Sequence, residues 1–175
     1  MNVAVIVMLL WSIAVPERRL WPLRAVTPMT FIAIWLPTFW VFGCAIGLGI
    51  LNWNGLDWPN WLRWGLGLPL ILIGNVVVWS AVANIGLGAT SGGPAALQVD
   101  GWYRWSRNPQ YFADMMIMSG WILLAASVWV VPVAIGIIIA LAIAPFAEEP
   151  WLRRTYGTAY DIYLSRTARF VGFVR

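Results

Sequence analysis

Histidine and lysine are both absent from this chain, and each absence removes a class of chemistry. Without histidine there is neither the commonest metal ligand nor the usual general base at neutral pH. Without lysine there is no Schiff base on the chain; retinal-type attachment is excluded, and all eleven positive charges are arginines. The single cysteine, Cys44, lies in an apolar run and supports neither a disulfide framework nor a thiolate metal cluster. Charge itself is scarce, at 10% of residues, against 61% hydrophobic residues and a mean hydropathy of +0.77. That balance is far from a soluble globular domain and reads as an integral membrane protein. Any chemistry must use carboxylates, arginines, tyrosines, amides or a cofactor.

Tryptophan is abundant: fourteen residues, largely near the ends of apolar runs, as an aromatic belt at a membrane interface requires. Residues 2–15 are apolar but short, about 21 Å as a helix against a hydrocarbon core of roughly 30 Å. Their flanking charges, Glu17, Arg18, Arg19 and Arg24, follow rather than precede them. This order argues against a signal peptide and for an uncleaved first helix with its N-terminus outside. Residues 30–51 make a full span kinked at Pro37, with Gly43, Gly47 and Gly49 as a close-approach surface. A polar turn over 52–60 leads to a third span over 61–87, which carries Pro69, Gly74, Asn75 and Asn84. Asn75 is expected to hydrogen-bond a neighbouring helix, whereas Asn84 suits either structure or a site. Residues 86–100, with Gly-Leu-Gly and Ser-Gly-Gly-Pro, read as a flexible loop.

Residues 115–145 are almost uninterrupted apolar sequence, about 46 Å as one helix and too long for a single crossing. A break near Ala126-Ser127 turns them into a hairpin of 109–126 and 128–145. Arginine placement favours this division. With five spans, every arginine except Arg63 falls on one side, as the positive-inside rule expects of the cytoplasmic face. A single crossing would set the tail's five arginines opposite the other five. The expected fold is all-α: one polytopic membrane domain over 1–175, with about five transmembrane helices. Helices and a loop occupy 1–97; a polar motif, the hairpin and a cytosolic amphipathic tail helix occupy 98–175. From Glu148 the tail reads as a new helix opened by Pro150 and supported by an i, i+4 pair, Glu149 and Arg153. Leu152, Tyr156, Tyr160 and Tyr163 line one face of it, and Gly157 weakens it.

The polar motif is Arg107-Asn108-Pro109, with an N-cap residue and a proline suited to the first helical position. A helix beginning there offers free amides and a dipole to an anionic group. Tyr111 lies one turn in, and Asp114 another turn deeper. An acid at that depth is a functional candidate, with the helix dipole or an arginine pair as its structural alternative. Glu148 and Glu149 end the second hairpin helix on the same face. They are either solvated ion pairs or, facing Arg107 and Asn108, a seat for an ammonium or sulfonium.

Taken together, Gly101-x-Tyr103-Arg104-x-x-Arg107-Asn108-Pro109-x-Tyr111, an apolar hairpin, Glu148-Glu149-x-x-Leu152-x-x-x-Tyr156-Gly157-x-x-Tyr160-x-x-Tyr163 and Arg169-Phe170 resemble the isoprenylcysteine carboxyl methyltransferase and phospholipid methyltransferase superfamily. The resemblance covers roughly the C-terminal half. It implies S-adenosylmethionine bound at the cytosolic end of the hairpin, beneath the C-terminal segment. By that resemblance Gln98, Val99, Tyr103, Arg107, Asn108, Pro109, Tyr111, Glu148, Glu149 and Tyr160 would hold the cofactor, and Arg169 would help close the site. Arg107 or Arg169 would hold an acidic substrate group; Asp114 or Glu149 would serve as base for an amine. The family more often has histidine at the Asn108 position and proline at the Trp102 position.

Tyr103-x-x-Ser106-Arg107-Asn108-Pro109-x-Tyr111-Phe112-x-Asp114 also resembles the membrane steroid and sterol reductases that use NADPH, in which Asp114 and Tyr111 would help deliver a proton. A nonenzymatic membrane subunit or small transporter accounts for the hydrophobicity but leaves the two motifs unexplained. The partners implied are the bilayer and a lipophilic small substrate, with no nucleic acid and no metal.

Overall fold

The computed structural model describes residues 2–23, 27–90 and 96–171. Arg24, Arg175 and Ser91-Gly92-Gly93-Pro94 of the expected loop lie outside them. The described residues are helical, with no strand among them. Helix α1 is Asn2–Ala14 and α2 is Pro28–Leu51. Helix α3, Asn60–Gly86, includes one π-helical turn, Arg63–Gly67. Helix α4 is Pro109–Ala125, α5 is Val130–Tyr156 and the short α6 is Thr158–Leu164. Among the described residues α2, α3 and α5 are long and apolar enough to cross a membrane. Helices α4, with 17 residues, and α1, with 13, are shorter.

The five longer helices alternate in direction, as two sets of end contacts show. At one end the 52–60 turn docks on the hairpin: Asn54 N–H donates to Ala125 O and Leu56 N–H to Ala126 O, both at 2.8 Å. Arg63, only 4% exposed, donates its Nε to Leu124 O at 3.0 Å and lies 4.8 Å from the Trp53 ring centroid. A cation at the C-terminal carbonyls of α4 offsets that helix's dipole. The N-terminus of α1 is at this end too, where Asn2 Nδ2 donates to Val133 O at 2.8 Å. The opposite end gathers the residues after α1, the end of α3, the start of α4 and the end of α5.

Helices α3 and α4 approach closely through glycine. A Cβ on Gly120 would sit 2.6 Å from Gly67 O, and one on Gly74 would sit 2.8 Å from Ala113 O. Small residues let helix backbones touch where lipid gives no hydrophobic drive for association. Of the three glycines expected to act this way on α2, Gly49 does so, pressed against the Trp121 ring; Gly43 and Gly47 face open space.

Other expectations are corrected. Asn75 bonds within its own helix, to Ile71 O at 2.8 Å, because a back-bond to i−4 satisfies its amide without a neighbour. The chain does not loosen at residue 86: it turns at Gly86 (φ 81, ψ 156) and stays helical to Thr90. The tail helix does not begin at Glu148; α5 runs through Pro145 and Pro150 to Tyr156, with Pro145 fully buried. The break falls at Gly157 (φ 55, ψ −135), a backbone conformation open to glycine.

The glycine contact makes a direct prediction. Gly120→Val forces a side chain into the Gly67 carbonyl and is expected to cost about 1–3 kcal/mol, the range of an overpacked core. Thermal unfolding in detergent measures it, and an unchanged Tm would remove the α3–α4 contact as a source of stability.

Candidate functional site

The site is assembled by polar ties between segments far apart in sequence. Ser12, fully buried on α1, accepts backbone N–H bonds from Leu20 at 3.0 Å and Trp21 at 3.1 Å. These fold the chain after α1 over the end of α5, where the Trp21 indole donates to Glu148 Oε1 at 2.6 Å. Tyr111, one turn into α4, donates its hydroxyl to the same oxygen. The other oxygen, Oε2, accepts no hydrogen bond among the described residues.

Glu149 lies one residue on, about 100° around the helix. It receives Arg107 Nη1 at 2.8 Å and both Nε and Nη2 of Arg169 at 2.8 and 2.9 Å. Arg169 is a bidentate partner, the strongest geometry for an arginine–carboxylate pair. Its guanidinium also lies 3.9 Å from the Phe146 ring centroid, a cation–π contact. Arg107 keeps its Nε buried and without a partner.

After Gly157 the chain folds back over the end of the bundle. Tyr163 donates its hydroxyl to Tyr103 O at 2.6 Å, Arg107 N–H donates to Ala168 O at 2.9 Å, and Asn108 Nδ2 donates to Arg169 O at 2.9 Å. Asn108 occupies the N-cap position of α4 but makes no capping bond; its amide serves the tail carbonyl instead. The expected Glu149–Arg153 pair is also absent. Glu149 is occupied by Arg107 and Arg169, and Arg153 meets Asp161 at 3.8 Å on an exposed surface.

These segments border an open cleft of about 160 Å³. Gln98, Tyr103, Arg107, Asn108, Tyr111, Glu148 and Tyr160 line it. Val99, Pro109, Asp114, Glu149 and Arg169 lie outside the lining. Glu149 and Arg169 brace the cleft from behind through Arg107 and the tail. Asp114 is half-buried on α4, with no hydrogen bond or ion pair among the described residues. Leu152, Tyr156, Tyr160 and Tyr163 do converge on the cleft, from two helices instead of one. Other wall residues were not singled out from the sequence: Trp21, Pro22, Ile85, Ala89, Thr90, Ala96, Leu97, Gln110 and Trp151. Gln110, at an unassigned position of the polar motif, donates to Thr90 Oγ1 at 3.3 Å and ties α4 to the short helical stretch that follows the Gly86 turn. Trp21 carried no signal, since only the Ser12 turn brings it to Glu148.

The tyrosines outside the spans are held neutral. Burial, with Glu149 adding to it, pushes the Tyr160 hydroxyl up to about 12. Burial pushes Tyr103 and Tyr163 up as well. At neutral pH they are hydroxyl donors, not bases. The Glu149 hydrogen bond pushes Arg169 above its already high value, so its cation is fixed.

The fold defines an integral membrane protein with a polar, aromatic-lined cleft at one end of its helix bundle. The family model for phospholipid methyltransferase matches residues 62–159, more than half of the chain, and the chain belongs to that family. No curated protein and no solved structure matches it. The matched region contains the end of α3, the polar motif, the hairpin and the Glu148-Glu149 pair.

Glu149→Gln tests the brace. It leaves two guanidiniums with one neutral acceptor and is expected to cost about 1–3 kcal/mol, below the cost of breaking a fully buried pair because Arg169 is 32% exposed. Amide exchange over 158–171 should accelerate while α2 stays protected. Unchanged exchange in the tail would show that the carboxylate does not hold it.

Proposed function

We propose that this protein transfers the methyl group of S-adenosylmethionine to a lipophilic or membrane-associated small substrate, at a carboxylate, amine or thiol. The observation carrying this reading is the convergence of the Arg107-Asn108-Pro109-x-Tyr111 motif and Glu148 on one cleft, inside the region that matches a methyltransferase family.

The lining fits the cofactor's chemistry. Glu148 has one oxygen without a hydrogen bond among the described residues, suited to ribose hydroxyls or an ammonium. Arg107 has an unsatisfied buried Nε and suits a carboxylate. Tyr103, Tyr111, Trp151 and Tyr160 supply aromatic faces for an adenine ring and a sulfonium. When bound, the cofactor supplies an electrophilic methyl group, so the absence of histidine and cysteine is no obstacle. The chain's own work is to hold the acceptor atom in line and exclude water, effects worth up to roughly 7–11 kcal/mol in the best-oriented systems. Trp21 and Tyr111 fix the Glu148 carboxylate; the tail, braced by Glu149, covers the site.

Arg18, Arg19, Arg104, Arg107, Arg153, Arg154, Arg166 and Arg169 belong to the cleft end, and Arg63 to the other. The positive-inside rule then orients the cleft and tail to the cytoplasm and the start of α1 outside. Within this reading Asp114, away from the cleft lining, is a packing or substrate-side residue instead of a cofactor ligand.

Thermal shift in detergent separates the cofactors. S-adenosylhomocysteine is expected to raise Tm, and NADPH to leave it unchanged; a shift with NADPH alone would establish a reductase. Glu148→Gln should weaken S-adenosylhomocysteine binding about ten- to a hundredfold, the weight of one charge-assisted hydrogen bond.

A further inference from the structure

Beside the cleft, two short stretches of chain run in the same direction and are tied at both ends. Tyr163 bonds Tyr103 O at one end, and Arg107 N–H bonds Ala168 O at the other. Between these ties the exposure patterns match. Tyr103 and Ser106 are buried while Arg104 and Trp105 face out; Tyr163 and Thr167 are buried while Ser165 and Arg166 face out. The ties thus bring the segment carrying Arg104 and Trp105 beside the one carrying Arg166, and all three side chains form an exposed strip of adjoining chain, Trp105 at 71% exposure.

Neither arginine has an ion-pair partner among the described residues. Asp100, the acid preceding this turn, pairs with neither, and Asp161 on α6 is engaged with Arg153. Like charges on adjoining segments repel, and a nearby anion offsets that repulsion. The strip lies at the end of a membrane-embedded bundle, where the available anions are lipid headgroups. An exposed tryptophan next to arginine suits that depth, its ring among the headgroup carbonyls and the guanidinium at the phosphate.

We infer that Arg104, Trp105 and Arg166 form a binding surface for an anionic phospholipid headgroup of the surrounding bilayer, separate from the cleft. This surface is independent of the reaction proposed above. It would anchor the tail side of the cleft to the membrane and favour anionic over zwitterionic lipid.

The experiment titrates phosphatidylglycerol or phosphatidylcholine into detergent micelles of the full chain and reads apparent affinity from the rise in Tm. Phosphatidylglycerol is expected to bind about tenfold more tightly than phosphatidylcholine. Arg104→Gln and Arg166→Gln should each lower its affinity about fivefold, the weight of one basic residue at a charged membrane surface. Arg153→Gln and Arg154→Gln, exposed but already paired with Asp161 and Glu17, should leave it within about twofold. Wild-type affinity in both strip variants would overturn the proposal, as would an equal loss in all four variants, the mark of diffuse charge. Inorganic phosphate matching the lipid's effect would likewise overturn it, by showing a generic anion site.

Discussion

The functional end of this molecule depends on one carboxylate. Glu149 is the shared acceptor of Arg107, which opens the α4 motif, and of Arg169, which closes the tail. The three residues come from separate parts of the chain, so a single ionised group fixes the relative positions of α4, α5 and the tail. The cluster carries one net positive charge, and its members differ in exposure: Arg107 and Glu149 are largely withdrawn from water while Arg169 keeps a third of its surface. Withdrawing Glu149 without these partners would be costly. With them, three charge-assisted hydrogen bonds and the Phe146 ring offset the desolvation.

The adjacent acid does the opposite work. Glu148 is held through one oxygen by Trp21 and Tyr111, both neutral donors, and no arginine among the described residues pairs with it. A helical step of about 100° separates a carboxylate spent on structure from one that faces the cleft. The doublet is thus two roles placed on adjacent residues. Gly157 makes the arrangement possible, because its unusual backbone turns the chain back so that Arg169 can reach a residue twenty positions earlier.

Much of the helical framework was legible from the sequence. The excess length of residues 115–145 and the one-sided arginines together required the hairpin that brings Arg107 to Glu149. The tail was less legible, because proline is ordinarily a helix boundary. Pro145 and Pro150 are instead carried inside α5, where packing overrides propensity. Local spacing likewise suggested Glu149–Arg153, and a bidentate long-range partner won over a flexible i, i+4 pair worth only about 0.2–0.5 kcal/mol. The Trp21 side of the cleft had no sequence signal at all. It exists because Ser12 bonds two backbone amides eight and nine residues on, a tertiary fact that leaves no periodic trace.

The two ends of the bundle solve the problem of polarity in different ways. At the far end Arg63 gives its Nε to a helix terminus and lies on an indole ring, and the 52–60 turn satisfies hairpin carbonyls, while Arg63 Nη2 and Asn54 Oδ1 stay buried without a partner among the described residues. The α3–α4 glycine contacts then carry that fixed geometry along the bundle. At the cleft end the polar groups are only partly consumed by the described residues: among these, one oxygen of Glu148 and the Nε of Arg107 have no partner, and Arg104 and Arg166 have no counter-ion. Unpaired polarity beside hydrocarbon is costly unless something else satisfies it. Unsatisfied polarity alone therefore does not single out a site; at the cleft end it coincides with an aromatic-lined cleft and an exposed basic surface, and that coincidence is what the proposed ligand and headgroup readings rest on.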